Sequence, residues 1–145
     1  MKSTLVKPLF LLILAIPLAM TLACNGGGSG STGDEIAPEV TVTSPADNAT
    51  GVALDAVITV TFNESMDEAT LDSVSFTISP TTSGTIAYES ATRRATLTPT
   101  TTLAVGTLYT VTLTTACSDV AGNALAAEYS FSFTTSTSIA DQWAQ

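Results

Sequence analysis

From Glu39 onward, apolar side chains recur at every second position, and Thr or Ser fills most of the positions between them. Val40 and Val42 alternate with Thr41 and Thr43, Ile58, Val60 and Phe62 with Thr59 and Thr61, and Val74, Phe76 and Ile78 with Ser75 and Thr77. Tyr109, Val111 and Leu113 alternate with Thr110 and Thr112, and Tyr129, Phe131 and Phe133 with Ser130 and Ser132. Two shorter pairs, Ile86 with Tyr88 and Ala95 with Leu97, repeat the rhythm. A period of two sends successive side chains to opposite faces of a strand, so each run has one face to bury and one to leave wet. Seven such one-sided runs, separated by turn residues, predict an all-β fold: an antiparallel β-sandwich of about seven strands. A parallel sheet would need crossovers of a dozen residues or more, and the connections are too short or too polar for that.

The connections carry their own signals. Ser44–Gly51 reads as one long polar connection that ends the first strand. Ser65 and Glu68 have the spacing of a capping box, which predicts one short helical turn near 66–71. Met66 and Leu71 would then plug the open end of the sandwich. Gly106-Thr107 precedes a strand-opening Tyr109, the arrangement of a tyrosine corner, in which the phenol bonds back to an upstream backbone group. Asp119–Asn123 is a turn of residues that tolerate positive φ.

The first thirty residues follow a different pattern. Lys2 and Lys7 precede an apolar run from Leu9 to Met20, and small residues end at Ala23. That is the layout of a secretory signal over residues 1–23. The run falls short of the about 20 apolar residues of a spanning helix, and Pro17 interrupts it. Thr21-Leu22-Ala23-Cys24 resembles the lipobox of bacterial lipoproteins, which implies cleavage before Cys24 and attachment of lipid, palmitate among its chains, to that cysteine. An ordinary signal peptide with an incidental cysteine, or an uncleaved anchor, are the alternatives. Asn25 in place of Asp implies, by that resemblance, the outer membrane or cell surface rather than the inner membrane. Residues 24–35 then form the lipidated cysteine and a Gly/Ser-rich linker. As a random coil, Asn25–Gly33 spans about 15–18 Å, a leash rather than a stalk.

A set of short motifs in a fixed order identifies the rest. Thr43-Ser44-Pro45, Gly51-Val52, Phe62 through Asp67, Leu97-Thr98-Pro99, Leu103 with Gly106-Thr107 and Tyr109, Asp119 with Ala121-Gly122-Asn123, and Phe131 through Thr135 together resemble the bacterial Ig-like domain of the SbsA (S-layer) type. The resemblance covers about residues 36–135, with Ser65 where that family commonly has proline. It implies an Ig-like sandwich and a module without catalytic activity, of the kind found in surface, adhesion and polysaccharide-associated proteins. Residues 136–145 form a C-terminal tail: a disordered segment, the start of something longer, or a strip whose Trp143 packs on the sandwich.

Charge narrows the partners. Removing residues 1–23 takes away both lysines and leaves Arg93 and Arg94 against thirteen acidic residues, a net charge of −11. So acidic a surface disfavours nucleic acid and anionic headgroups, both of which are held by Lys and Arg. With Cys24 given to lipid, Cys117 has no intramolecular partner and no disulfide framework forms.

Candidate chemistry is sparse. The chain has no histidine, so no Ser–His or Cys–His nucleophile and no imidazole metal ligand can be assembled. Cys117 reads as a small buried residue rather than a functional thiol. Glu64, Asp67 and Glu68 lie on one short cap, not across a cleft as a glycosidase requires. No catalytic, cofactor or metal site is therefore expected, and Cys24 is the one site residue, for lipidation. Calcium is the only metal left open. Glu64 and Asp67 on one loop, with Asp119 and Asn123 on another, offer oxygen ligands, although their spacing is not that of an EF-hand. The expected function is a non-enzymatic envelope lipoprotein that presents one Ig-like domain to a protein or polysaccharide partner. The alternative is a carbohydrate-binding module, which would need exposed aromatics.

Overall fold

The computed structural model describes residues 33–138. The signal segment, Cys24, nearly all of the linker and Trp143 lie outside the described residues.

Eight strands form: β1 (Val40–Ser44), β2 (Ala49–Val52), β3 (Ile58–Phe62), β4 (Phe76–Ser79), β5 (Gly84–Glu89), β6 (Arg94–Pro99), β7 (Leu108–Leu113) and β8 (Tyr129–Thr135). They assemble into two four-stranded sheets, in the orders β1-β3-β6-β5 and β2-β8-β7-β4. Every run read from the alternation contributes to one of these strands, and the two sheets face each other across the apolar sides. Ile58, Val60, Phe62, Ala95 and Leu97 from one sheet meet Phe76, Ile78, Tyr109, Val111, Leu113, Phe131 and Phe133 from the other, all buried in one cluster. Each large side chain buried this fully is worth about 1.5–3 kcal/mol relative to exposure. That is the driving force of the fold. The Thr and Ser residues between them look outward, among them Thr59, Thr61, Thr96, Thr110, Thr112, Ser130 and Ser132, each half-buried or exposed.

Four details differ from the expectation. Ala49–Val52, placed above in a polar connection, is a strand, and it pairs with β8 in parallel, so the sandwich is not wholly antiparallel. No crossover helix is needed, because the chain leaves β1 in one sheet and joins the edge of the other through the turn at Pro45–Asn48. Asn48 adopts φ 60° there, and its N–H donates to Ser132 O at 2.7 Å. Second, β1 carries a bulge between Val40 and Val42. It turns Thr43 inward opposite Val60 and leaves Val42 outside, 60% exposed, opposite Thr61. Third, Val74 is 74% exposed, because its strand starts only at Phe76. Asp72 Oδ1 accepts the N–H groups of Val74 and Ser75 and holds that stretch as a turn. Fourth, the helical turn is a 3-10 turn of three residues, Glu68–Thr70, capped by Asp67 and not by Ser65. The Asp67 carboxylate accepts the N–H of Ala69 at 3.0 Å. Met66 and Leu71 are buried beside it, as the plug required.

Two tyrosines tie connections to the core through their phenols. Tyr109 is buried, stacks on Phe133 at 5.6 Å between centroids, and its Oη accepts the N–H of Ala104 at 2.9 Å. This is the expected corner. The same connection is also held by Thr135 of the neighbouring strand β8, whose Oγ1 donates to Ala104 O at 2.6 Å and accepts the N–H of Thr107 at 2.8 Å. Tyr88 makes the counterpart at the opposite end, where its Oη accepts the N–H of Met66 at 2.8 Å.

Tyr109→Phe removes the only side-chain acceptor given to the Ala104 N–H while keeping the ring in place. We expect a loss of about 1–2 kcal/mol in urea denaturation, with an unchanged denaturant slope. An unaltered midpoint would mean that the phenol contributes packing alone.

Candidate cation site

The loops that leave β3 and β7 meet at one end of the sandwich. Met66 and Asp119 form an isolated antiparallel bridge. On either side of it, Asp67 N–H donates to Ser118 O at 2.9 Å and Val120 N–H to Ser65 O at 3.2 Å. This short zipper sets Glu64 beside Asp119. The segment that precedes β1 is brought to the same place by Asn63, whose N–H donates to Glu39 O at 3.0 Å and whose Oδ1 accepts the Glu39 N–H at 2.8 Å.

Asp119 organises its own turn. Its Oδ1 accepts the N–H groups of Ala121 and Asn123, each at 2.8 Å, and its Oδ2 accepts from Asn123 Nδ2, also at 2.8 Å. Gly122 supplies the positive φ, 95°, that closes the loop without a Cβ penalty. The same Asn123 amide nitrogen donates to Asp34 O at 2.9 Å and so fixes the start of the domain against the turn. Asp34 Oδ1 accepts the N–H of Ile36 at 3.0 Å.

Three carboxylates converge as a result. Asp34, Glu64 and Asp119 each place an oxygen so that all three lie within 4.8 Å of one another. Asp119 is 1% exposed, Glu64 is half-buried and Asp34 is exposed. Glu64 Oε1 is buried and has no hydrogen-bond partner. Desolvation, followed by the negative charges of Asp34 and Asp119, holds the Glu64 carboxyl above the usual range. Two carboxylates can share a hydrogen bond only if one of them holds a proton; when all three are ionised, none of them offers another a donor. Burial pushes Asp119 up as well, but the hydrogen bonds from the Asn123 side chain and from the backbone of Asn123, Ala121 and Gly122 outweigh it, and its carboxyl is held below the usual range. Arg93, one of two basic residues beyond Lys7, is spent elsewhere: its Nη1 donates to Asn63 O.

Of the four oxygen-bearing residues singled out in the sequence, the fold brings Glu64, Asp119 and Asn123 together and gives Asp67 to the cap of the 3-10 turn. Asp34 is the residue that sequence reasoning missed. It stood at the end of the Gly/Ser linker, 30 positions before Glu64, and only the Asn123 contact reveals where it goes. Cys117 is fully buried in the loop after β7, with Sγ 3.7 Å from Ser75 O, and burial pushes its thiol up, away from the reactive thiolate. A groove of about 370 Å³ opens between the edge strands β4 and β5, against Phe76, Ile78, Ile86 and Leu97. No ionisable side chain lines it.

Comparison with known proteins bears on the fold. A family model described as a bacterial Ig-like domain matches residues 34–135. No curated protein is similar at a significant level. Among solved structures, domains 1–6 of the surface layer protein SbsC superpose with a TM-score of 0.53 at 22% identity, over 72% of this chain and 14% of that one. PcoC, a methionine-rich copper resistance protein from Escherichia coli, superposes with a TM-score of 0.56 at 13% identity, over 69% of this chain and 99% of its own. An L,D-transpeptidase from Mycobacterium smegmatis matches with a TM-score of 0.50 at 20% identity, over 68% of this chain and 40% of that one. The chain thus spans about a seventh of the S-layer structure. At these identities the likenesses speak for the fold alone. Met66, the sole methionine among the described residues, is buried in the core.

Glu64→Gln removes one charge from the carboxylate group without changing its shape. In chelator at neutral pH we expect the variant to be more stable than the parent, by about 0.5–1 kcal/mol, the scale of partly solvated charge pairs. A lower urea midpoint would show that the ionised Glu64 is a net stabiliser.

Proposed function

We propose, for a chain that belongs to the family of bacterial Ig-like domains, the role of a non-catalytic envelope lipoprotein that presents one domain as a structural, adhesion or protein-interaction module. Lipid on Cys24 anchors it, and the Gly/Ser linker gives the domain freedom to orient. The sandwich then offers its loops and its edge strands β1, β5, β2 and β4 to a protein or polysaccharide partner. Its place is the outer membrane or the cell surface.

The observation that carries this reading is how the two sheets use their faces. The inner faces are spent on one closed core, and Thr and Ser fill most of the outer faces. Such a body is well suited to standing in the envelope and poorly equipped for chemistry. The groove between β4 and β5 has no acid or base to offer, and a sequence without histidine removes the commonest proton carrier. The carbohydrate-binding alternative draws less support. Among the described residues no aromatic is exposed: the four phenylalanines and Tyr109 are buried, and Tyr88 and Tyr129 are half-buried.

Cell fractionation tests the anchor. Cys24→Ser should move the protein from the membrane to the soluble fraction, and unchanged membrane retention would sink the lipid assignment. Protease treatment of intact cells tests the address. Loss of the domain favours adhesion or matrix contact, whereas protection until the outer membrane is opened turns the search to periplasmic partners.

A further inference from the structure

We infer that the segment 139–143 turns back past the start of β7 and seats the Trp143 indole in the apolar groove between β4 and β5. The inference concerns the domain and its tail, and it stands apart from the lipid anchor.

The groove has the chemistry of an indole site. Phe76, Ile78 and Leu97 line it as members of the core, and Ile86 of β5 lines it half-buried. Its volume is about 370 Å³, within the about 300–1,000 Å³ of ligand clefts, which is room for one indole. No ionisable side chain lines it, and Thr81, Thr82 and Ser83 bring hydroxyls to its wall. A buried tryptophan wants that combination: an apolar surround for the ring and an acceptor for its N–H. A hydroxyl that donates, as Thr82 Oγ1 does to Pro80 O at 3.5 Å, still has lone pairs to accept the indole N–H.

The path of the chain selects the occupant. Just past β8, Ser136 N–H donates to Val52 O, and Ser136 O accepts the Gly106 N–H, each at 2.8 Å. Thr137 then lies against Gly106, with its Cγ2 3.4 Å from where a Cβ would stand. The chain has thus passed from β8 to the connection that opens β7. The next strand in that direction is β4. Ser79 of β4 pairs with Thr110 of β7, so the loop after β4, which walls the groove, lies at this same end. Strands β8 and β4 stand two strand spacings apart, about 10 Å. The five residues from Ile139 to Trp143 reach about 16–18 Å when extended. The linker is the wrong candidate. It enters at the opposite end, where Asp34 O accepts from Asn123 Nδ2, and its residues 25–33 carry no large apolar side chain.

The consequence is a cover over two open edges. β4 and β5 end their sheets on the same side of the sandwich, and the groove runs between them. An indole seated there shields that seam. A partner strand that pairs with β4 or β5 over the groove must first displace the tail, so the tail sets which edges are free to bind.

The test uses the full-length protein purified in detergent. Trp143 is its single tryptophan, so indole emission reports one side chain. In the folded protein the emission should lie to the blue of that in urea, with acrylamide quenching several-fold slower. Nuclear Overhauser contacts should run from the indole to the methyl groups of Ile78, Ile86 and Leu97. Thr82→Glu places a charge in the groove wall at a half-buried position outside any strand, where folding tolerates it. It should shift the emission to the red and restore fast quenching. Val120→Glu, at a position 73% exposed near the other end of the sandwich, should do neither. The inference is overturned if the indole of the folded protein is quenched as fast as in urea, or if Thr82→Glu changes nothing. Contacts to detergent or to other residues overturn it as well. Contacts seen only between labelled and unlabelled chains mean that a second copy supplies the tryptophan, which overturns docking within one chain.

Discussion

Two sheets must each hide one face from water, and the space between those faces is what the rest of the molecule is built around. Ile58, Val60, Phe62 and Leu97 on one side and Val111, Leu113, Phe131 and Phe133 on the other leave almost no surface exposed. Once they interlock, register is fixed, because a slip of one residue would trade the whole inner set for threonines. The ends of the sandwich then have to be closed. Met66 and Leu71 close one end, held by Tyr88, and Leu103 closes the other, held by Tyr109 and Thr135. The acidic group follows from this closure. Seating Met66 forces its loop against Ser118–Val120, and Glu64 comes to rest beside Asp119.

Where burial alone decides, the sequence is a good guide. Alternation located seven of the eight strands and the inner residues of nearly all of them. It fails where backbone hydrogen bonding decides instead. The strand Ala49–Val52 is short, contains Gly51 at φ 68°, and owes its existence to pairing with β8, so its residues carry no strand pattern of their own. The bulge in β1 inserts one residue, which no apolar pattern announces, and turns Val42 outward. Ser65 and Asp67 both have the chemistry of a cap. The bridge at Met66 occupies the backbone that a longer helix would have used, and the cap moves to Asp67. The acidic group was half legible. Glu64 and Asp119 stand in the loop motifs, but Asp34 is indistinguishable from any acid at the end of a linker until Asn123 is seen holding its carbonyl.

Asp119 has two roles that pull the same way. Its hydrogen bonds from Ala121 and Asn123 hold the turn in shape, and they keep the carboxyl ionised where burial would favour the neutral form. A preorganised anion results. Glu64 shows the opposite balance: it is desolvated, faces two like charges and lacks a donor for Oε1.

The most direct measurement is urea denaturation of a variant that opens the space between the sheets, Phe133→Ala. A loss of about 3–5 kcal/mol is expected, because the Phe133 ring is fully buried there. A loss below about 1 kcal/mol would contradict an account in which the packing of the two inner faces holds the fold.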